Sequence, residues 1–384
     1  MEIVFTGGGT GGHIFPIIAV AREMRKIYPR QDLKLFYIGP KDDFSLILLG
    51  QEDMAIKKIL AGKLRRYFSF KNLIDIFKIP IGILQAFFYL FFIAPDVVIS
   101  KGGYGSFPVV ISARILHIPI FLHESDIVPG LASKKTSKWA AEIFTSFPET
   151  EFFPKEKIIN LGNLVRKEIL EGSKEKAKEI FELQGNKPLL LILGGSQGAQ
   201  RINDIILEIL PEILENFEVI HQTGQKNFSE VKAETDAILL KSLKKYYHLL
   251  PFLNEEYYKH ALVACSLVIS RAGAGTIFEI AANGKPSILI PLPDSAQNHQ
   301  IKNAYAYSKS GSCQVIEQEN LKPHFFLEKL KYLFSRPQDL EEMSINSKKF
   351  SRPKAAKIIA SYLLEYLSPS KQQPEAMTTN LPNK

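Results

Sequence analysis

The chain has 384 residues, of which 46% are hydrophobic and 23% charged, so most of it is neither disordered nor fibrous, and its length predicts two domains. Its 48 basic and 40 acidic side chains give a formal net charge of +8, which suits a polyanionic partner, a membrane surface, or a basic enzyme with neither. Two cysteines, Cys265 and Cys313, exclude a disulfide scaffold, and the strand-like EIVFT from Glu2 predicts that no signal peptide is present. We therefore expect a reducing, cytoplasmic compartment.

Short apolar runs alternate along the chain with longer segments of helical period, which is typical of βαβ units and parallel sheets. In the first half the predicted strands cover residues 2–6, 33–38, 96–100 and 118–122. In the second half they cover 188–193, 218–221, 237–240, 267–270 and 287–291. Each series opens with a strand, a glycine loop and an amphipathic helix. We therefore predict an α/β protein made of two Rossmann-like halves.

The lysine-rich stretch 166–187 separates the two halves. We predict an N-terminal domain over residues 1–163 and a C-terminal domain over 164–350. A C-terminal helix over 351–367 is expected to pack back on the N-terminal domain. The composition of residues 368–384 predicts a disordered tail.

Residues 79–94, IPIGILQAFFYLFFIA, form an apolar stretch with a single polar side chain. Its 16 residues are fewer than the roughly 20 that span a bilayer, so it is predicted to be a buried or interfacial helix. Across 57–78, seven basic residues accompany one acid, Asp75; they are Lys57, Lys58, Lys63, Arg65, Arg66, Lys71 and Lys78. An apolar helix beside such a segment fits docking on an anionic bilayer, and a core helix beside a solvated loop fits equally well.

Four glycine-rich turns each follow a predicted strand. They are GGGTGGH at 7–13, GGYGSFP at 102–108, GGSQGA at 194–199 and RAGAGT at 271–276. Glycine permits positive φ and lets backbone N–H groups approach a ligand, and at a helix N-terminus those groups suit phosphate. Four such loops distributed over both halves favour a phosphorylated ligand between the domains.

Several other chemistries are disfavoured by the same residues. Gly7, Gly9 and Gly12 satisfy G-x-G-x-x-G, but the second strand lacks the terminal acid that a nicotinamide cofactor needs for its ribose. The chain has no Walker A sequence, Asp-x-Asp pair, G-x-S-x-G elbow or metal-ligand spacing of histidines. His13 closes the first loop, where it fits an acid, base or acceptor-positioning role, or else a cap or core role. Glu279, one turn into the helix after RAGAGT, fits a ribose contact or simple complementation of the helix dipole.

Taken in order, GGTGGH, KGGYGSFP, HESD (from His123), GNLVR (from Gly162), GGSQGA, SRAGAGTIFEIAANGKP and NHQIKNA resemble the MurG family of peptidoglycan N-acetylglucosaminyltransferases over about residues 1–367. The resemblance implies the GT-B fold, with two Rossmann-like domains whose parallel sheets face each other across a deep cleft. It implies inverting, metal-independent transfer of GlcNAc from UDP-GlcNAc to the MurNAc C4 hydroxyl of undecaprenyl-pyrophosphoryl-MurNAc-pentapeptide, converting lipid I to lipid II. The expected location is the cytoplasmic face of the membrane, peripherally bound to its anionic surface. Other cell-wall synthesis proteins are expected partners, and nucleic acid is not.

The same resemblance implies a set of site residues. Thr10, Gly11 and Gly12 match the loop near the sugar and the acceptor pyrophosphate. The donor-binding positions are Arg166 and Ser196 at the phosphates, the Leu253 backbone at uracil, the helix start Ala274, Gly275, Thr276, Ile277, Phe278 and Glu279, with Glu279 at the ribose, and Gln300 at GlcNAc. His13 is the first catalytic candidate, followed by Glu124 and Asp126.

Three positions depart from the family pattern. Asp126 stands where asparagine is common, so a carboxylate replaces a neutral amide donor at the position expected to contact the donor sugar. Leu164 replaces proline in GNLVR, which we expect to loosen the linker without altering the chemistry. Gly105 replaces a frequent valine, which we expect to be a small change near the acceptor loop. The alternative functions are a UDP-sugar-dependent diacylglycerol glycosyltransferase, a UDP-GlcNAc epimerase and an NAD-dependent oxidoreductase.

Overall fold

The structure is a computed structural model that describes residues 1–8, 11–28, 32–63, 70–150, 152–195 and 198–368, without the side chains of 43–45 and 70–74. The predicted tail, apart from Ser368, lies outside the described residues. The elements of the first unit are β1 (Glu2–Thr6), α1 (Gly11–Ile27), β2 (Lys34–Pro40), α2 (Asp43–Gly50), β3 (Ala55–Ile59), α3 (Phe70–Ile93), β4 (Val97–Ser100), α4 (Ser106–Ile115), β5 (Ile120–Glu124), α5 (Leu131–Thr136), β6 (Glu142–Thr145) and β7 (Ile158–Asn160).

The second unit follows a 3-10 turn at Lys167–Leu170. Its elements are α6 (Lys174–Ile180), β8 (Leu189–Leu193), α7 (Gln200–Glu208), α8 (Leu210–Asn216), β9 (Glu218–Gln222), α9 (Phe228–Ile238), α10 (Lys241–Lys244), β10 (Tyr247–Leu250), α11 (Glu255–Ala264), β11 (Leu267–Ser270), α12 (Ala274–Ala282), β12 (Ser287–Leu289), α13 (His299–Ser308), β13 (Cys313–Val315), α14 (Pro323–Phe334) and α15 (Pro337–Phe350). The last helix is α16 (Ala355–Tyr366).

Each unit is built on one parallel sheet, which confirms the predicted α/β class. The first sheet has seven strands in the order β3-β2-β1-β4-β5-β6-β7, and the second has six in the order β10-β9-β8-β11-β12-β13. β1 pairs with both neighbours in parallel register, with Ile3 opposite Leu35 and Val97. The strand order reverses between β1 and β4 and between β8 and β11. Open α/β sheets bind ligands at such switch points.

All four predicted glycine loops lie at these two switch points. The loops 7–13 and 102–108 follow β1 and β4, and the loops 194–199 and 271–276 follow β8 and β11. Residues 9–10 and 196–197, within two of these loops, are outside the described residues. The topology therefore groups the glycine loops in pairs, one pair on each sheet.

The last helix returns to the first unit. Ile359 and Leu363 of α16 are buried in one apolar cluster with Ile17 of α1. The Tyr366 ring lies edge-on to the Phe121 ring, with centroids 5.1 Å apart. The chain thus crosses between the units twice, once after β7 and once after α15.

Helix α3 crosses from β3 to β4 and leaves one face exposed. Ala86 and Leu90 are fully buried in the apolar cluster that includes β4, whereas Phe77 is 67% and Phe92 is 78% exposed. The 19-residue segment Asp75–Ile93 has a mean hydropathy of 2.0 and is long and apolar enough to cross a membrane by length and composition alone. This corrects the expectation from 79–94 that the segment is too short. Its buried face nevertheless packs it along the sheet between two strands of one domain.

Eight of the nine predicted strands overlap observed ones, and the strand predicted at 237–240 is wrong. Ile238 ends α9, where only every fourth residue is buried, and Leu240 is 70% exposed. The true strand there, β10, follows seven residues later. The strands β3, β6, β7 and β13 are not predicted by the sequence pattern either. Each is short or carries polar residues, so it lacks the continuous apolar run of a buried strand.

Candidate active site

The two glycine loops of the first unit pack directly on each other. Gly8 has a φ of +133°. A Cβ on Gly103 would lie 2.9 Å from the carbonyl oxygen of Gly8 and 3.1 Å from Nε2 of His13. A Cβ on Gly105 would collide with the Pro40 ring, so the glycine at the family's valine position is required here rather than a small change. The contact between the loops brings His13 to the switch point.

The environment of His13 keeps its imidazole neutral. Burial lowers the pKa of His13 to about 3, with smaller contributions from the charges of Lys101 and His299. A neutral imidazole can accept a proton from an attacking hydroxyl. A diphosphate bound nearby would favour the imidazolium and raise this pKa towards the range of an effective general base. His299 belongs to the second unit, so its effect on His13 indicates that the two units approach each other near this histidine.

Two opposite charges are buried at the same edge, at the ends of β4 and β5. Lys101 is 4% exposed, and burial lowers the pKa of its ammonium group against the opposing effect of Glu124 and Asp126. Glu124 is 7% exposed, and burial raises the pKa of its carboxyl group while Lys101 opposes the rise. The carboxyl group of Glu124 is therefore a base candidate whose pKa is shifted towards neutrality.

Asp126 joins the two units. Its Oδ1 accepts a 2.8 Å hydrogen bond from Nδ2 of Asn303 on α13. Nδ2 of Asn303 also donates to the carbonyl oxygen of Ala272 at 3.3 Å, and its Oδ1 accepts from the Ile127 N–H at 3.0 Å. Asn303 is fully buried. The Asp126 carboxylate therefore already accepts a hydrogen bond within the protein. This bond holds the segment after β5 against the second unit.

The glycine loops of the second unit border open space. A Cβ on Gly195, Gly273 or Gly275 would meet no described heavy atom within 4 Å. By contrast, a Cβ on Gly194 would lie 2.9 Å from a carbonyl oxygen of the sheet. Ala274 begins α12, so backbone N–H groups and the positive end of the helix dipole lie next to this space. Such an arrangement suits the phosphates of a nucleotide.

Arg166 lies between the units and contacts both. The centre of its guanidinium group is 4.0 Å from the centroid of the Phe15 ring on α1. Nη1 donates to Oε2 of Glu255 at 2.6 Å, and Nη2 donates to Oε1 of Glu279 at 3.1 Å. The side chain is 6% exposed, and its buried Nε has no acceptor among the described residues. Buried N–H groups normally have an acceptor, so a phosphate oxygen is a suitable partner for this Nε.

Arg22 of α1 extends the ionic network. Its Nη2 lies 2.6 Å from Glu52, and its Nη1 lies 3.1 Å from Glu168 and 3.3 Å from Oε1 of Glu255. Glu255 thus contacts two arginines through its two oxygens, Arg22 of the first unit and Arg166 of the linker.

The other residues predicted to bind the donor offer it mainly backbone groups, or side chains that already make hydrogen bonds within the protein. The side chains of Leu253, Ile277 and Phe278 are buried in the core, so only their backbones are available to a ligand. Oε1 of Gln300 accepts the Leu292 N–H at 3.1 Å, which holds the loop after β12 in place.

The remaining predicted residues lie at helix starts or outside the described residues. Gly275 and Thr276 are half-buried in the first turn of α12, and Gly11 and Gly12 form the first turn of α1. Thr10 and Ser196 lie outside the described residues.

Sequence reasoning assigned no role to several residues that build the site. Asn303 and Lys101 lie inside the motifs NHQIKNA and KGGYGSFP, so their positions offered a signal. No sequence pattern links Glu255 to its partner Arg166, because the two are 89 residues apart. Gln297, with a left-handed φ of 61°, donates through Nε2 to the Pro129 carbonyl oxygen at 3.0 Å and so links the two units directly. Within the described part of the chain, no group of three His, Cys, Asp or Glu side chains is placed to hold a metal ion.

Two parallel-sheet units with paired glycine loops at facing switch points define the GT-B class of nucleotide-sugar enzymes. A solved structure of MurG from Acinetobacter baumannii superposes with a TM-score of 0.72 at 25% identity, covering 95% of this chain and 99% of that one. A UDP-GlcNAc 2-epimerase from Neisseria meningitidis, solved with UDP-GlcNAc, shares the fold with a TM-score of 0.65 at 17% identity, covering 95% and 100% of the two chains.

The sequence comparisons separate the transferases from the epimerases. The chain matches the glycosyltransferase family 28 N-terminal domain over residues 3–145 and the family's C-terminal domain over 189–359. It is 36% identical to a UDP-N-acetylglucosamine--N-acetylmuramyl-(pentapeptide) pyrophosphoryl-undecaprenol N-acetylglucosamine transferase from Treponema denticola, over 95% of this chain and 98% of the relative. A transferase of the same name from Clostridium tetani is 37% identical over 90% and 94%. The chain belongs to glycosyltransferase family 28.

Proposed function

We propose that this chain transfers GlcNAc from UDP-GlcNAc to the MurNAc C4 hydroxyl of undecaprenyl-pyrophosphoryl-MurNAc-pentapeptide, converting lipid I to lipid II. The observation that carries the proposal is the 36–37% identity to transferases of this name over at least 90% of the chain. The placement of the four glycine-rich motifs at the two switch points supports it. The epimerases share only the fold.

The donor is proposed to bind to the second unit. Its diphosphate would lie against the loop after β8, the N-terminus of α12 and Nε of Arg166, with the ribose on Glu279, uracil at the Leu253 backbone and GlcNAc at Gln300. Negative charge grows on UDP as its bond to the anomeric carbon breaks. Fixed N–H donors and a guanidinium group aimed at that charge stabilise the transition state more than the ground state.

The acceptor is proposed to bind at the first unit. Its C4 oxygen attacks the anomeric carbon opposite the leaving UDP, which inverts the configuration and forms a β1,4 linkage. The proton of the hydroxyl goes to a base, for which neutral His13 at the groove is the first candidate and Glu124 the second. The acceptor's own diphosphate, close to His13, would raise the pKa of the imidazole when it is needed as a base.

The test offers the purified chain labelled UDP-GlcNAc with a lipid I analogue, with diacylglycerol, or with no acceptor. The expected result is a lipid-linked disaccharide with the lipid I analogue alone. A glycosylated diacylglycerol would favour the glycolipid synthase, and conversion of UDP-GlcNAc without acceptor would favour an epimerase. Either outcome would contradict the proposal.

We also propose that the chain is peripherally bound to the cytoplasmic face of the membrane through the exposed face of α3. The exposed apolar side chains of this helix are Ile76, Phe77, Ile81, Leu84, Phe88, Phe91 and Phe92. Lys57, Lys58 and Lys63 lie on or just after the preceding strand β3, whereas Arg65 and Arg66 lie outside the described residues. Nζ of Lys57 lies 5.9 Å from the centroid of the Tyr89 ring on α3, and an apolar face with a lysine beside it suits an anionic bilayer surface.

The docking proposal predicts that the double change Phe88→Glu and Phe92→Glu releases the protein from vesicles containing phosphatidylglycerol. Ile345→Glu is the matched control, because Ile345 is 49% exposed on α15 of the other unit. Cosedimentation should fall strongly for the α3 variant and stay unchanged for the control. Equal binding by the α3 variant and the wild type would exclude this surface.

A further inference from the structure

Arg166 is held by two carboxylates, and the geometry of each contact differs. The shorter contact, 2.6 Å, joins Nη1 to Oε2 of Glu255, and the longer one, 3.1 Å, joins Nη2 to Oε1 of Glu279. Arginine pairs best with a single carboxylate through two parallel hydrogen bonds. Here Glu255 occupies Nη1, which excludes a pair through Nη1 and Nη2, and the pair through Nε and Nη2 is not formed, because Nε has no acceptor among the described residues.

This division matters for Glu279. A guanidinium group paired with both oxygens of Glu279 would occupy the acceptors that the ribose hydroxyls require. With one arm on Glu255, Arg166 contacts only Oε1 of Glu279, which also interacts with the buried Tyr258 side chain. The buried Nε of Arg166 has no acceptor among the residues described, so it is available to the ligand.

Glu255 is itself fixed at the start of α11. Its backbone lies in the first turn, next to the cap in which Oδ1 of Asn254 accepts the Tyr257 N–H at 2.8 Å. Its second oxygen lies 3.3 Å from Nη1 of Arg22. Phe15, whose ring stacks on the guanidinium group at 4.0 Å, limits the remaining freedom of Arg166.

We infer that Glu255 is a positioning residue for donor binding: its contact with Nη1 fixes the orientation of the guanidinium group in which Nε meets no carboxylate, so that Nε is open to the diphosphate and Glu279 keeps an oxygen for the ribose. The inference rests on the proposed function, since it assigns Glu279 and Arg166 to UDP. Glu255 touches neither ribose nor phosphate in this arrangement and acts through Arg166.

The test compares Glu255→Ala and Glu255→Gln with Glu256→Ala. Glu256 is the matched control because it also lies in the first turn of α11, but its carboxylate pairs with Lys259 and His260. Calorimetry with UDP should show Kd about tenfold higher for Glu255→Ala, with KM for UDP-GlcNAc raised similarly and kcat changed less. Glu255→Gln, whose amide oxygen can still accept from Nη1, should restore most of the affinity, and Glu256→Ala should bind like the wild type.

A fourth variant separates positioning from a general link between the units. Arg22→Ala leaves the contact between Glu255 and Arg166 intact, so its Kd for UDP should stay within about twofold of the wild type. A loss equal to that of Glu255→Ala would show that Glu255 acts by tying the units together. Unchanged or tighter UDP binding by Glu255→Ala would also overturn the inference, the latter by showing that Glu255 mainly repels the diphosphate. If the wild type itself binds no UDP, the proposed function fails instead.

Discussion

Replacing Asp126 by alanine should destabilise the chain by about 2 kcal/mol, because it removes the bridge between the units. The lost interaction is a 2.8 Å hydrogen bond from a fully buried amide to a carboxylate, and such bonds contribute about 1.5–3 kcal/mol. The value lies in the lower half of that range, since in the variant Nδ2 of Asn303 can still donate to the Ala272 carbonyl oxygen, which lies 3.3 Å away. Asp126→Asn retains an oxygen acceptor and should cost less than about 1 kcal/mol.

The partner variant Asn303→Ala should lower the free energy of unfolding by about 4 kcal/mol, because it also leaves the Ala272 carbonyl oxygen and the Ile127 N–H without their hydrogen-bond partner. A double-mutant cycle should then give a coupling energy of about 1.5–2 kcal/mol between Asp126 and Asn303. Urea denaturation followed by circular dichroism measures all four proteins. Asp294→Ala, which removes an exposed carboxylate of the loop after β12, is the control.

Two results would refute this reasoning. Additive effects in the cycle would show that the contact contributes nothing to stability. Full stability of Asp126→Ala together with loss of GlcNAc transfer would show that the carboxylate serves the substrate instead of the bridge. Asp126→Asn carries the family's common residue and should keep transfer within a few-fold of the wild type.

Three further predictions concern the site and its surroundings. His13→Ala should lower kcat by about 10²–10⁴ with the Kd for UDP unchanged, and undiminished transfer at saturating acceptor would remove His13 from the mechanism. Burial lowers the pKa of His221 to about 3 and that of His123 well below 6.5, so these imidazoles protonate mainly on unfolding. Unfolding free energy should therefore fall below pH 6.5 by about 1.4 kcal/mol per pH unit for each of these two histidines, and His221→Gln should remove one such contribution. Transfer should persist in excess EDTA, and its loss, restored by a divalent cation, would contradict a site in which Arg166 and N–H groups meet the diphosphate charge.

The sequence contained most of what determines the location of the groove. Glycine loops after apolar strands are local patterns, and parallel topology places them together at the carboxyl edges of the sheets. The same local reasoning failed at 237–240, where an apolar run ends a surface helix. It also underestimated the length of α3, because the helix begins at Phe70, nine residues before the apolar stretch that starts at Ile79.

The contacts that complete the groove were beyond local patterns. Glu255 and Arg166 are 89 residues apart, and Asp126 and Asn303 are 177 apart, so only the folded arrangement brings them together. The collision that forces glycine at position 105 likewise depends on Pro40 from another strand. Long-range ion pairs and close loop contacts of this kind leave no periodicity in a single sequence.

A crystal structure with bound UDP-GlcNAc tests the central claim most directly. The diphosphate is expected between the loop after β8 and the N-terminus of α12, with Glu279 at the ribose and the anomeric carbon facing His13 across the groove. A nucleotide sugar bound outside the groove, or bound inside it with no contact to Glu279 or Arg166, would contradict the claim.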